Sequence, residues 1–208
     1  VSQLTIPVGF QLLEVGPGAG ALTKYLLKKE AIDFKAIEYD EEKDNYLLKT
    51  YPEIKDKIIH IDFLKADIPF QGHFSIIGNF PYILFKVLEW ETQVDEVIGM
   101  FQKEVAQRVA AKEGNKTYGI LSVLIQAFFK VEYLFDVHEN CFTPPPKVKS
   151  GVIRLTNTQN PYQIDNPKRF LKVVKTAFGQ RRKTLRNALK PLLQADQLAH
   201  EIFNLSGK

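Results

Sequence analysis

The sequence is sparing with sulfur: its 208 residues hold one cysteine, Cys141, and one methionine. A lone cysteine excludes an internal disulfide framework and a cysteine-only metal site, and it suits a reducing compartment such as the cytoplasm. Long apolar runs are missing too. Val97 to Phe101, and Ile120 to Phe129 with Ser122 and Gln126 interrupting it, fall far short of the ~20 residues a membrane helix needs. No basic stretch leading into an apolar one opens the chain, so no signal peptide is expected. The absence of an initiator Met leaves room for a longer gene product. Acids are absent from one long segment. Between Asn166 and Lys190 stand nine cations (Lys168, Arg169, Lys172, Lys175, Arg181, Arg182, Lys183, Arg186 and Lys190) and no Asp or Glu, although the net charge of the whole is only +4. Such a segment predicts a polyanionic partner for the C-terminal part.

What is present suffices for a core. Hydrophobic residues make up 45% and charged residues 25%, which excludes wholesale disorder. The length suits one domain of roughly 150 residues with a small appendage. Phe10 to Val15 reads as a buried strand that runs into Gly16-Pro17-Gly18-Ala19-Gly20 and then into helical apolar spacing over Ala21 to Lys29. Phe34 to Ile37, Ile58 to Ile61 and Phe74 to Gly78 are further strands, ending at Glu38, Asp62 and Asn79; a helix covers Glu41 to Thr50. Strand alternating with helix predicts a doubly wound α/β sheet, whose ligands lie beyond the carboxyl ends of the strands. Four segments distant in sequence should therefore meet in one crevice.

Further along, Glu96 to Gln102 reads as a strand, Glu104 to Ala111 and Ile120 to Phe129 as helices, and Val131 to Phe135 as a strand. Val148 to Leu155 alternates like an antiparallel strand behind the turn Pro144-Pro145-Pro146. Thr156 to Pro161 is a polar linker. Beyond it the periodicity is purely helical (Phe170, Val173, Val174, Ala177; then Leu185, Leu189, Leu192). The expected division is residues 1–158 for the sheet domain and 159–208 for a small basic helical domain. Cys141 and Trp90 read as packing residues. The four histidines have no mutual spacing that suggests a metal site.

A glycine-rich strand-to-helix turn lets backbone approach a ligand and aims N–H groups at it. Gly16 to Ala21 fits a dinucleotide fingerprint only weakly. Glu14, two residues before the first glycine, makes the segment E-V-G-P-G-x-G, which resembles the S-adenosylmethionine (SAM) motif of methyltransferases. Glu38 suits ribose hydroxyls under either reading, and Asp62 suits an exocyclic amine. Asn79-Phe80-Pro81-Tyr82 is the most informative tetrapeptide. A nucleobase amine is a poor nucleophile because its lone pair is delocalised into the ring. Acceptors for both its N–H protons localise that pair and aim it at a methyl donor. An Asn side-chain oxygen and a carbonyl held by the following Pro supply two, and a Tyr stacks on the flipped base.

These motifs occur in order with Gln102-Lys103-Glu104-Val105-Ala106-Gln107-Arg108, Phe142 to Ser150 and Phe178-Gly179-Gln180-Arg181-Arg182-Lys183-Thr184-Leu185-Arg186. Together they resemble the ribosomal RNA small-subunit adenine-N6,N6-dimethyltransferase family (the KsgA type) over nearly the whole chain. The resemblance implies a Rossmann-like SAM-dependent methyltransferase sheet with a small C-terminal helical domain. It implies that Glu14, Gly16, Pro17, Gly18 and Gly20 hold the methionine end of SAM, Glu38 the ribose and Asp62 the adenine. Asn79, which also borders the cofactor, and the Phe80 carbonyl ahead of Pro81 would grip the target N6, with Tyr82 and Phe142 on the two faces of that base. Arg181, Arg182, Lys183 and Arg186 would face ribosomal RNA phosphates, with Lys103, Arg108, Lys147 and Lys149 as further contacts. The implied partner is small-subunit ribosomal RNA in a precursor particle, met by a cytoplasmic monomer that uses neither metal nor membrane.

Two departures stand out. Only Val1 to Gly9 precede the first strand, where the family carries a basic G-Q-H/N-F-L segment. Tyr82 is followed directly by Ile83-Leu84-Phe85 rather than by a polar run. Three alternatives stay open: a large-subunit methylase of the antibiotic-resistance type, a non-catalytic RNA-binding assembly factor, and, remotely, a nicotinamide oxidoreductase.

Overall fold

The computed structural model describes residues 9–29, 32–79, 83–142, 146, 148–180 and 182–195. Its strands are β1 (Phe10–Val15), β2 (Ile32–Glu38), β3 (Ile58–His60), β4 (Phe74–Asn79), β5 (Val94–Gln102), β6 (Phe129–Val137) and β7 (Ser150–Asn157). They form one sheet in the order β3-β2-β1-β4-β5-β7-β6. The first five are mutually parallel; β7 lies antiparallel between β5 and β6. Helices α1 (Thr23–Leu26), α2 (Glu41–Thr50), α3 (Leu84–Glu89), α4 (Lys103–Val109), α5 (Ile120–Gln126), α6 (Pro167–Gly179) and α7 (Leu185–Ala195) connect and flank the strands.

The central parallel strands are apolar on both faces because both are covered, as β4 shows with Phe74 to Gly78 all buried. On one face Phe74, Val97, Phe101, Phe128 and Ile153 form the larger core; on the other Leu12, Phe34, Ile77 and Ile98 form the smaller. Trp90 closes α3 and meets Phe63 edge-on at 5.1 Å between centroids. Its reading as a packing residue holds. Helix α6 lies against α5 and the turn after it, where Phe170 and Phe128 meet with centroids 6.2 Å apart. No helix among the described residues is long and apolar enough to cross a membrane.

Several expectations need correction. The helix expected over Ala21 to Lys29 shrinks to Thr23–Leu26, because Gly20, Ala21 and Leu22 are still in the turn. The apolar run from Ile120 to Phe129 is a helix only to Gln126. There the side-chain amide of Gln126 donates to the carbonyls of Val109 and Ala111, both at 2.8 Å, and Phe129 opens β6. An unbroken apolar run has no period to separate helix from strand. Helix α3 is additional to the expected elements. Cys141 is exposed at the end of a 3-10 turn instead of being packed.

Candidate active site at the carboxyl edge of the sheet

Each parallel strand from β1 to β4 delivers one polar residue or loop to the same edge. After β1 the chain makes three positive-φ residues, Gly16 (63°), Gly18 (58°) and Gly20 (80°), a conformation that side chains disfavour. At Gly20 space excludes a side chain as well. A Cβ on Gly20 would come within 2.5 Å of the Tyr51 ring that follows α2. A Cβ on Gly16 would lie 3.8 Å from the Asn79 main-chain oxygen, so the loop runs directly past the end of β4.

Glu38 ties this loop to its neighbours. One carboxylate oxygen, Oε2, accepts the Gly18 N–H at 3.0 Å. The other, Oε1, accepts those of Tyr39 (2.9 Å) and Asp40 (3.0 Å). Glu38 is only 6% exposed, so these bonds stand in for lost water. A carboxylate offers about four lone-pair sites. Among the described residues three are used, and one on Oε2 is left for a ligand. Asp62 lies beyond β3, half-buried, with Oδ1 accepting the Leu64 N–H at 3.0 Å. Asn79 ends β4 with an exposed side chain.

Glu14 sits deeper. It is 1% exposed, and its Oε2 accepts the Thr23 hydroxyl proton at 2.7 Å. Burial pushes its carboxyl up to about 7, against the opposing pull of the Thr23 bonds; the nearby Glu38 charge adds to the rise. Glu14 thus works beneath the glycine loop, fixing it to the first residue of α1, while Pro17 and Gly20 are buried above it. Thr23 was missed in the sequence. The available signal was a hydroxyl at the start of the helix, nine residues past a buried acid.

The β6–β7 connection emerges at the same edge and carries Phe142, half-buried, whose N–H bonds the Glu139 carbonyl at 3.2 Å. Two of the expected cations are already paired: Lys103 with Asp136, and Arg108 with Glu104. Asp136 is also held by the Tyr133 hydroxyl, and these bonds draw its carboxyl below the usual range. Lys149, Arg182, Lys183 and Arg186 are exposed. Phe80, Pro81, Tyr82, Lys147 and Arg181 lie outside the described residues.

A nicotinamide-type sheet runs 3-2-1-4-5-6. The antiparallel strand inserted before the last one here breaks that order. With the glycine loop, the acid ending β2 and Asn79 ending β4, it defines a Rossmann-like methyltransferase.

Comparison with known proteins narrows the class. The profile described as "Ribosomal RNA adenine dimethylase" matches residues 1–206. The "Ribosomal RNA small subunit methyltransferase A" of Cytophaga hutchinsonii is 57% identical over 189 residues, 88% of this chain and 73% of that protein. The protein of the same name from Flavobacterium johnsoniae is 54% identical over 93% of this chain and 77% of its own length. Among solved structures, a dimethyladenosine transferase from Plasmodium falciparum superposes with a TM-score of 0.77 at 27% identity, covering 89% of this chain and 69% of that one. The 23S rRNA methyltransferase ErmE shares the fold at 23% identity, with a TM-score of 0.69 over 89% of this chain and 77% of that one. The chain belongs to the ribosomal RNA adenine dimethylase family.

Proposed function

We propose that this protein transfers methyl groups from S-adenosyl-L-methionine to N6 of two adjacent adenines in small-subunit ribosomal RNA, within a precursor particle, giving N6,N6-dimethyladenosine. The observation that carries the reading is the approach of the glycine loop to Asn79. Backbone that suits a cofactor passes within van der Waals reach of the residue that suits the target amine. The relatives named as small-subunit methyltransferases support the choice of RNA.

The residues present fit SAM: a loop whose three glycines take a positive φ, a buried carboxylate with one acceptor site to spare, and an acid beyond β3. When bound, the cofactor supplies an electrophilic sulfonium methyl. Glu38 would accept a ribose hydroxyl and Asp62 the cofactor's exocyclic amine. Asn79 and the Phe80 carbonyl would accept the two N–H protons of the target N6, turning its lone pair toward the methyl group, while Tyr82 and Phe142 clamp the base. No strong general base is needed, since the amine becomes acidic once alkylated. Residues 159–208 would bring the RNA in, with Arg181, Arg182, Lys183 and Arg186 on phosphates. The reading places a monomer in the cytoplasm.

The test is transfer of labelled methyl from SAM to small ribosomal subunits lacking the modification, with the product nucleoside identified by mass spectrometry. Dimethyladenosine at neighbouring positions is expected. Asn79→Ala should cut turnover by roughly 100-fold or more and leave SAM affinity within about twofold. Subunits left unmethylated by SAM-loaded wild-type protein would instead favour a non-catalytic assembly factor.

A further inference from the structure

A cavity of about 540 Å³ lies between α3, α4, α6 and the loop ahead of α5. No part of the reaction described above uses it. Three aromatic rings line it, Phe85, Tyr118 and Phe178, together with three cations, Arg108, Lys116 and Lys175. Glu104 is the acid on its wall, and it is taken up by Arg108. The rings and charges are interleaved. Lys175 Nζ stands 5.4 Å over the Phe85 ring, and Tyr118 and Phe178 meet at 6.2 Å with their planes inclined at 52°. Phe85 is 43% exposed, so its ring is open to a guest as well as to Lys175.

The position is as informative as the lining. Phe85 follows Asn79 by six residues, on the first turn of α3. Helix α4 starts directly after β5, the strand next to β4, with Asn79 in register with Met100. At its far end Phe178 also lines the hollow beside Gln180, Arg182 and Lys183. The cavity therefore runs from α3, the helix that follows Asn79, toward the basic turn between α6 and α7.

We propose that this cavity takes a nucleotide flanking the target adenine. Its base would stack among Phe85, Tyr118 and Phe178, and its phosphate would lie on Lys175 and Lys116. The inference rests on the reading of the protein as an RNA methyltransferase and extends it. Extruding one base unstacks its neighbours, at a cost of a few kcal/mol. A second stacking platform with cations beside it offsets that cost without reading sequence. The size suits one nucleotide, lying within the usual range for small-molecule pockets. The net positive lining favours an anionic guest, and the three rings favour one that carries a flat base over an acidic peptide.

Tyr118→Ala and Lys175→Ala test the proposal, with small subunits assembled around RNA carrying 2-aminopurine next to the target adenine. Lys175 is exposed, so its loss leaves the fold intact. Wild-type protein should quench the 2-aminopurine fluorescence, and Tyr118→Ala should abolish that quenching. Each variant should raise KM for subunits about tenfold, with kcat and SAM affinity within about twofold. An unchanged KM in both variants overturns the proposal. So does an effect confined to SAM affinity, which would assign the cavity to the cofactor. A raised KM with unaltered fluorescence would point to a ribosomal protein as occupant, and the nucleotide would be rejected. Failure of the wild-type protein to methylate any subunit would be distinct from all of these, bringing down the methyltransferase reading itself.

Discussion

The glycine loop and the cationic segment are both proposed to meet an anionic or polar ligand, yet they are built in opposite ways. Around the loop the charged groups are buried and hydrogen-bonded: Glu38 holds three N–H groups, and Glu14 holds a hydroxyl. In the turn between α6 and α7 and at the start of α7, the described Arg182, Lys183 and Arg186 reach into solvent. On the proposed reading the first region would recognise by fixed geometry, so single changes should be steep and insensitive to salt. The second would recognise by field, so changes should be graded and strongly salt-dependent.

The most damaging single change on the geometric side is Glu38→Ala. It strands three backbone N–H groups at about 1–3 kcal/mol each. Urea unfolding should show a loss of about 4 kcal/mol, and calorimetry a SAM affinity at least roughly 100-fold weaker. Gly20→Ala comes next. It forces a side chain into a positive φ and against Tyr51. The two penalties together suggest about 3 kcal/mol of lost stability, read from the same urea midpoint. An unchanged midpoint in either variant would break the contrast, since the loop would then be as tolerant as the surface.

Glu14 gives a pH signature of similar or smaller size. Its carboxyl titrates at about 7 in the folded chain, against 4.5 ordinarily. Between those values the folded protein keeps a proton that the unfolded chain releases. This contribution to stability is full below about pH 4.5 and is lost as pH rises to about 7. The expected swing is on the order of 2–3 kcal/mol, measured as the difference in unfolding free energy between wild type and Glu14→Gln at pH 5 and pH 8. A constant difference would mean that Glu14 stays charged.

The smallest effects per residue belong to the field. Replacing Arg182, Lys183 and Arg186 with Ala should leave stability within about 0.5 kcal/mol. RNA affinity should weaken stepwise, and the slope of log affinity against log salt should fall by up to about 0.7–0.9 for each phosphate no longer neutralised. A steep loss from one of the three, with no change of slope, would make that residue a geometric contact and blur the contrast.

The two regions were also unequally legible. Strands β1, β2 and β4 each end where an apolar run meets a glycine, an acid or an amide. That abrupt change of chemistry marks both the strand end and the site, so Gly16, Glu38 and Asn79 could be placed at one edge from sequence. Thr23 carried no comparable mark, because its role depends on a hydrogen bond to a residue already hidden. Tyr118 and Phe178 stand sixty residues apart and meet only through the packing of α6 beside α5, which no local pattern encodes. Lys175 read as one cation among nine, and only its place over Phe85 separates it from the rest. Cys141 misled because a small apolar type beside Phe142 says nothing about which way a turn faces.

The inserted strand β7 has a consequence for how the chain is made. Leu155 pairs with Val97, so β5 waits for a segment synthesised almost sixty residues later, and β6 waits with it. A nascent chain that stops short of Ser150 presents the apolar edges of both strands with nothing between them. Contacts of such long sequence separation form slowly, and open edges invite pairing with other chains. The sheet's closing edge should therefore be the last part to mature on the ribosome, and a chain truncated before Ser150 should aggregate rather than fold into a smaller domain.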